Sequence, residues 1–153
     1  MNYSTQQHDR KLKLIFKIAK KVRRQIIKFA KEENRRIRLP TLLSGCSFAS
    51  YVLYQVLKMK NIDAKLVACD DPCHFWVEVD DYIIDLTATQ FEKVPSIFMY
   101  KQKDHERKYY HLADYVEEAA INYLKTWIPE ENPFNKRFAN SVDRMVNTVV
   151  ENN

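Results

Sequence analysis

The sequence predicts an α+β fold in which an antiparallel sheet in the middle of the chain is flanked by helices. Long helical patterns of apolar residues occupy both ends, over residues 1–38 and 113–150. Between them, short runs rich in Val, Ile and aromatic residues are separated by Asp and Pro, which is typical of antiparallel strands joined by turns. The chain has 153 residues, of which 46% are hydrophobic, and this is enough for one core. We therefore expect a single domain over residues 1–153.

The first predicted element is a basic amphipathic helix over residues 1–38. Its apolar side chains recur at every third or fourth position, which is the spacing of one helix face. We expect the following stripe to be buried: Leu12, Ile15, Phe16, Ala19, Val22, Ile26, Phe29 and Ala30. Leu39 and Pro40 should end the helix, because proline cannot continue a hydrogen-bond ladder and restricts the residue before it.

The polar face of this helix concentrates the basic charge of the protein. Residues 1–38 contain 13 Lys and Arg against 3 Asp and Glu, a net charge of +10, whereas residues 39–153 contain 12 against 17, a net charge of −5. Such a face fits nucleic acid, an acidic partner or a membrane surface. A solvated face is the favoured interpretation, because no aromatic residues interleave with the charges and no nucleic-acid motif accompanies them.

The apolar patterning contains neither a membrane span nor a signal peptide. No apolar run approaches the roughly 18 residues of a spanning helix, and the first residues lack the apolar core of a signal sequence. The 3 cysteines, Cys46, Cys69 and Cys73, form an odd set with no CxxC pair, which is typical of thiols in a reducing compartment. We therefore expect a soluble cytoplasmic protein.

Gly45 is the only glycine in the chain, and Cys46 follows it at the start of a predicted helix over residues 45–60. Ser44 can cap this helix, and Asn61 stands where a helix often ends in glycine. A thiol in the first turn lies near unpaired backbone N–H groups and the positive end of the helix dipole, which favours the thiolate. Gly45 tolerates backbone angles closed to other residues and permits close approach of another backbone or a substrate. The alternative is a glycine that only makes a tight turn, followed by a small buried cysteine.

The rest of the chain alternates short strands with turns and then returns to helix. The predicted strands are residues 64–69, 74–79 and 82–88, with further strand segments at 96–100 and 108–112. Asp70, Asp71 and Pro72 separate the first two strands, and Asp80 and Asp81 separate the second and third. Two C-terminal helices are predicted over residues 113–127 and 134–150, on either side of Pro129 and Pro133.

The hairpin made by the second and third strands determines which side chains are neighbours. A two-residue turn at Asp80 and Asp81 places Val79 opposite Tyr82. One face is then apolar and should face the core, with Phe75, Val77, Val79, Tyr82, Ile84 and Leu86. The other face carries His74 and Asp85 as diagonal neighbours about 7–8 Å apart at the backbone, close enough for the imidazole to meet the carboxylate.

Cys46, His74 and Asp85 together supply the parts of a thiol nucleophile: a sulfur, an imidazole that shares its proton, and a group that orients the imidazole. The remaining histidines have no Asp at a matching position; they are His8, His105 and His111. The alternatives are a satisfied core histidine and an Asp that serves only a structural hydrogen bond.

A metal site is another use of these side chains, because Cys69, Cys73 and His74 are close in sequence. Their spacing matches no usual zinc module, and a fourth ligand is not evident. On an alternating strand, Cys73 and His74 also point to opposite faces. We therefore predict no metal ligands and no cofactor.

The segments GCSFASYVLYQVL, IDAKLVA and HFWVEVDDYIIDLTATQF resemble the transglutaminase-like branch of the papain-like cysteine enzymes. The resemblance covers about residues 41–91. It implies a helix bearing the cysteine packed on an antiparallel sheet, with Cys46 as nucleophile, His74 as general base and acid, and Asp85 as orienting group. We also expect Gln90 and Trp76 to contact the substrate, with Gln90 as a donor to the oxyanion.

The resemblance implies acyl-transfer chemistry but does not identify the acyl acceptor, because the family includes peptidases, deamidases, cross-linking transferases and N-acetyltransferases. The first hypothesis is a cysteine hydrolase acting on a peptide or side-chain amide. One alternative is an acyltransferase or transglutaminase with the same triad. Another is a non-catalytic protein that uses its basic N-terminal helix to bind an acidic partner or nucleic acid.

Overall fold

The chain forms a five-stranded antiparallel sheet with helices packed on it, as the computed structural model shows for residues 3–32, 45–91, 94–104, 110, 112–127 and 133–151. The strands are β1 (Ala64–Cys69), β2 (His74–Val79), β3 (Tyr82–Asp85), β4 (Phe98–Lys101) and β5 (Tyr115–Val116). Their order in the sheet is β4-β3-β2-β1-β5. The predicted α+β class with an antiparallel sheet and flanking helices is confirmed.

In the described part of the chain, four α-helices accompany this sheet: α1 (Tyr3–Glu32), α2 (Cys46–Met59), α3 (Glu118–Trp127) and α4 (Pro133–Glu151). Helix α2 packs on β1 and β2, while α1 and α4 pack on α2. Apolar side chains from these three helices, from α3 and from one face of the sheet form the main core. The cysteine-bearing helix therefore lies directly on the sheet, as the sequence predicted.

The β2–β3 hairpin has the predicted register. Val79 pairs with Tyr82 and Val77 with Ile84, and Asp80 adopts the left-handed conformation (φ 54°) that a two-residue turn requires. Phe75 and Val77 accordingly face the main core. Strand β3 ends at Asp85 rather than at residue 88, because the chain turns there into a short 3-10 segment over Ala88–Gln90.

The opposite face of the sheet is also covered. A second, smaller apolar cluster lies there, formed by Val67, Cys69, Trp76, Ile83, Ala88, Phe98 and Tyr110. His74 and Asp85 project to this side and are fully buried. The sheet therefore encloses the candidate catalytic pair between its own backbone and this cluster.

Helix α1 is placed against β3 by two polar contacts. Near its start, the Lys11 ammonium pairs with Asp80 in the hairpin turn (2.7 Å), and near its middle the Arg23 guanidinium donates to the Leu86 carbonyl (2.6 Å). These contacts lie at opposite ends of β3, so α1 runs alongside that strand. Residues 33–38 of the predicted helix, and the predicted terminators Leu39 and Pro40, lie outside the described residues.

The buried stripe of α1 differs from the predicted one at three positions. Leu12 was expected to be buried but is half-buried. Phe16 was expected to be buried but is 43% exposed, whereas Ile18 is completely buried. The face toward α2 and α4 is centred on Ile15, Val22 and Ile26, and Ile18 lies one turn from Ile15 and Val22 on that face. Phe16 lies at the edge of this face, where it meets solvent.

Helix α2 begins at Cys46 and has the predicted C-terminal stop. Asn61 has a positive φ (55°), and the N–H groups of Asn61 and Ile62 bond back to the carbonyls of Lys58 and Leu57. Gly45 differs from the expectation of an unusual backbone angle, because its φ is −111°. Gly45 is nonetheless buried, so close packing is the reason for a residue without a side chain. The predicted cap Ser44 lies outside the described residues.

The C-terminal half contains two further departures from the prediction. Residues 113–127 were expected to be one helix, but β5 precedes α3 and pairs with β1 instead. Glu117 has a positive φ (52°), so the backbone changes direction there, between β5 and α3. The predicted strand at 108–112 falls mostly outside the described residues, and Tyr110 lies in no strand. Among the described helices, none has the length and apolar character needed to cross a bilayer.

Candidate active site

The centre of the candidate site is a buried ion pair between β2 and β3. The Nε2–H group of His74 donates to Asp85 Oδ2 at 2.6 Å, and both side chains are 0% exposed. His74 is the first residue of β2 and Asp85 the last of β3, so the hairpin register brings them together as diagonal neighbours. The sequence predicted this juxtaposition from the two-residue turn.

Three further hydrogen bonds hold the Asp85 carboxylate. The Tyr110 hydroxyl donates to Oδ2 (2.7 Å), while the backbone N–H and hydroxyl of Thr87 donate to Oδ1 (2.7 and 3.1 Å). Burial by itself raises the pKa of Asp85, but the charge and hydrogen bond of His74, together with these donors, lower that pKa below its usual value. Asp85 is therefore a fixed anion.

His74 is a stronger base here than an ordinary histidine. Burial lowers its pKa, but the charge of Asp85, the hydrogen bond to Asp85 and the interaction with Cys46 outweigh burial and raise the pKa to about 9. The ring accordingly favours the imidazolium, which is the form that stabilises a neighbouring thiolate.

Cys46 lies at the first position of α2, close enough to His74 for its side chain to help raise the pKa of the imidazole. Cys46 is half-buried, whereas Phe48 and Ala49, further along α2, are buried. One turn further along α2, the Ser50 hydroxyl donates to the carbonyl of Phe75, the residue after His74 (2.9 Å). This bond ties the N-terminal half of α2 to the start of β2 and so sets the distance between Cys46 and the imidazole.

Gln90 completes a closed ring of hydrogen bonds around the imidazole. Its amide nitrogen lies 3.0 Å from His74 Nδ1, to which it donates when the imidazole is neutral, and it donates to the Thr87 hydroxyl (3.4 Å). Thr87 in turn donates to Asp85, which accepts from His74. When the imidazole is neutral, this set of hydrogen bonds requires its proton on Nε2, and it leaves Nδ1 as the acceptor that faces Gln90.

Protonation of His74 changes what Gln90 can do. In the imidazolium both ring nitrogens are donors, so the amide N–H of Gln90 can no longer bond to Nδ1. The amide must then turn its oxygen toward Nδ1 or leave that position to the Cys46 sulfur. Gln90 thus has an N–H donor next to His74 Nδ1 that becomes free for another acceptor when the imidazole is protonated.

Trp76 has a supporting position rather than the predicted contact with substrate. It is fully buried, its indole N–H donates to Glu78 (3.0 Å), and its ring packs edge-on against Tyr110. The residue that borders the His74 ring from the exposed side is Phe91, at 4.8 Å between ring centroids and 42% exposed. Phe91 therefore separates the imidazole from solvent, while Trp76 supports it from within.

The other two cysteines have different surroundings from Cys46. Cys69 is buried and its thiol donates to the Pro72 carbonyl (2.9 Å); burial raises its pKa to about 12. Cys73 is exposed, and its pKa is raised, chiefly by desolvation. Among the described residues, no group of three or more His, Cys, Asp or Glu side chains is arranged to hold a metal.

Three residues of the site were missed by the sequence analysis. Thr87 follows Asp85 closely enough to have been found as a local turn donor. Arg23 is a buried cation beside the apolar stripe of α1. Its position next to that stripe could have indicated a buried arginine, which requires a polar partner. Burial lowers the Arg23 pKa, whereas the charge of Asp85 raises it. Tyr110 is 25 residues from Asp85, and nothing local in the sequence links them.

A groove of about 550 Å³ lies elsewhere, between α2, α3 and α4. Its lining includes Tyr51, Met59, Leu124 and Val146, and none of the triad residues. The groove is therefore separate from the candidate active site.

Comparison with known proteins identifies no relative: no protein-family model, curated protein or solved structure matches the chain. The interpretation of the site therefore depends on its own geometry.

Proposed function

We propose that this protein is a cysteine hydrolase that cleaves a peptide or side-chain amide with Cys46, His74 and Asp85, on a core of the papain-like, transglutaminase-like type. The observation that carries the proposal is the buried His74–Asp85 pair with Cys46, at the start of α2, close enough to interact with the same imidazole. A histidine with only a structural role would not need a carboxylate that three other donors hold in place, as they hold Asp85. Nor would it need a half-buried thiol such as Cys46 beside its ring. The three free thiols favour a reducing, cytoplasmic setting.

The first half of the reaction forms a thioester. The Cys46 sulfur, whose proton passes to His74 Nδ1, attacks the amide carbonyl, and the carbonyl electron pair moves to oxygen. The imidazolium then gives its proton to the leaving amine as the C–N bond breaks. Asp85 keeps the ring oriented and stays ionised throughout.

The second half releases the acid. His74 takes a proton from water, the resulting hydroxide attacks the thioester carbonyl, and the C–S bond breaks to return the thiolate and the imidazolium. In both halves, the backbone N–H of Cys46 at the start of α2 and the side-chain amide of Gln90 stabilise the charged oxygen. This role for Gln90 agrees with its position beside His74 Nδ1.

Trapping the acyl-enzyme tests the proposal. An activated ester such as p-nitrophenyl acetate should give a burst of one nitrophenol per protein, and intact-mass measurement should find one acetyl group, located on Cys46 by peptide mapping. Cys46→Ala should lose both the burst and the added mass. Cys73→Ser is the matched control, because Cys73 is an exposed thiol close to the site, and it should retain them. A burst that persists in Cys46→Ala would overturn the proposal.

A further inference from the structure

The outward face of α1 carries a row of basic side chains that the proposed hydrolase does not use. Seven of them are exposed to solvent, and we refer to them together as the cationic row: Arg10, Lys13, Lys17, Lys20, Arg24, Lys28 and Lys31. The row extends along most of the 30-residue helix.

The row is narrow and regularly spaced. At 100° per residue, its members fall within an arc of about 80° on the helix surface. They follow one another at intervals of three or four residues, so neighbouring charges are about 5 Å apart along the axis and the row is about 32 Å long. This is a straight line of positive charge rather than a diffuse basic surface.

The charges in the row have one sign. The acidic residues of α1 are Asp9 and Glu32, which lie before and after the row, and Glu32 pairs with Lys28 at 3.8 Å. Like charges three or four residues apart repel and destabilise a helix. A helix face that serves only solubility usually alternates its signs, so the row indicates an external source of negative charge.

The rest of α1 limits the kind of partner. Ile15, Ile18, Val22 and Ile26 are fully buried in the protein core, so the apolar face of the helix is not available to enter a bilayer. Phe16 is exposed at the edge of the row, with the Lys20 ammonium 6.0 Å from its ring centroid. An aromatic ring beside a line of cations is the combination with which proteins bind a nucleic-acid strand and stack one of its bases.

We propose that the cationic row binds nucleic acid through the phosphate backbone. A row of about 32 Å matches the axial length of roughly nine phosphates of a duplex strand, which recur about every 3.4 Å along the axis. Because each strand winds around the axis, the straight row faces the phosphates of both strands that lie on the side of the duplex turned toward it. A binding face made of lysines and arginines, with a single aromatic ring, contacts the backbone and carries little sequence preference. This interaction does not depend on the chemistry of Cys46.

Fluorescence anisotropy with labelled oligonucleotides of about 20 nucleotides, single-stranded and duplex, tests the proposal at salt concentrations from about 50 to 200 mM. The full chain should bind both, and the logarithm of the binding constant should fall linearly with the logarithm of the salt concentration. A variant with Lys13, Lys17, Lys20 and Arg24 changed to Gln removes four possible phosphate contacts. It should lose up to about 3.6 from the magnitude of that slope with the duplex and up to about 2.8 with the single strand, because each contact contributes about 0.9 and about 0.7, respectively.

The matched control has the same loss of charge at exposed positions elsewhere: Lys65, Lys103, Lys125 and Lys136 changed to Gln. It should keep the slope and the affinity, and Cys46→Ala should keep them as well. The proposal is overturned if the chain fails to bind the oligonucleotides at the lowest salt, or if the control loses as much affinity as the row variant. It is also overturned if a polyglutamate peptide or vesicles with anionic lipid bind more tightly than the oligonucleotides.

Discussion

His74 Nε2 and Asp85 Oδ2 lie 2.6 Å apart, between the first residue of one strand and the last residue of the next, and neither side chain reaches solvent. Taking either partner away leaves a buried charge or a buried polar group without its acceptor, which is costly. The pair is therefore both the basis of the proposed catalysis and a determinant of stability, and the following predictions separate the two.

Asp85→Asn should slow formation of the acyl-enzyme by about 10³–10⁴-fold, the order seen when the orienting carboxylate of a triad is replaced by its amide. An Asn that donates to Nε2 stabilises the tautomer with the proton on Nδ1, which cannot accept the thiol proton. The measurement is the rate of the ester burst. Asp143→Asn is the control, because Asp143 is exposed on α4, and it should leave the burst rate unchanged.

The free energy of unfolding should be highest between about pH 4 and pH 6.5. The raised pKa of His74 gives stability that is fully present below its ordinary value of 6.5 and is lost as the pH rises through about 9. The lowered pKa of Asp85 gives stability that is present above its ordinary value of 3.8 and is lost as the pH falls through its folded value.

Urea unfolding at about pH 6 and pH 10 measures the upper limb of this profile. A shift from 6.5 to about 9 corresponds to about 3 kcal/mol, and His74→Gln should lose that part of the pH dependence. A wild-type stability that does not decrease between these two pH values would contradict the raised pKa of His74.

Iodoacetamide should label Cys46 before Cys69 and Cys73 at about pH 6, because a helix N-terminus and an adjacent imidazolium both favour the thiolate. His74→Ala should remove this preference. Peptide mapping by mass spectrometry gives the extent of labelling at each thiol. Equal labelling of Cys46 and the exposed Cys73 in the wild type would indicate that Cys46 is structural.

Gln90→Ala should reduce the rate of acylation by about 10²–10³-fold, which is the usual effect of removing one oxyanion donor. Alkylation of Cys46 by iodoacetamide creates no oxyanion and should continue at the wild-type rate or faster, because the amide no longer competes for His74 Nδ1. Gln90→Glu keeps the shape but has no N–H donor, so it should lose acylation as well. Equal losses of alkylation and acylation would show that Gln90 only holds the ring in place.

Ile18→Ala should lower the free energy of unfolding by about 2–5 kcal/mol, the usual cost of truncating a large buried side chain. Phe16→Ala should cost much less, because Phe16 is 43% exposed and Ile18 is 0% exposed. Chemical denaturation of the two variants gives the comparison. A larger loss of unfolding free energy for Phe16→Ala than for Ile18→Ala would show that Phe16 is the core residue, as the sequence predicted.

The sequence by itself determined the features that depend on local geometry. The two-residue turn at Asp80 and Asp81 defined the hairpin register, and the register made His74 and Asp85 neighbours. The isolated Gly45 followed by Cys46 predicted the start of α2, and Asn61 predicted its end. Each of these follows from the backbone preferences of a few consecutive residues.

The tertiary structure alone decided the rest. Tyr110 reaches Asp85 and Arg23 reaches Leu86 across 25 and 63 residues of sequence, and no periodicity predicts such pairings. Tertiary packing also decided that Ile18, and not the predicted Phe16, is buried in the core. A helical pattern identifies an apolar face to within about one residue, but where its edge falls depends on the shape of the helices and strands packed against it.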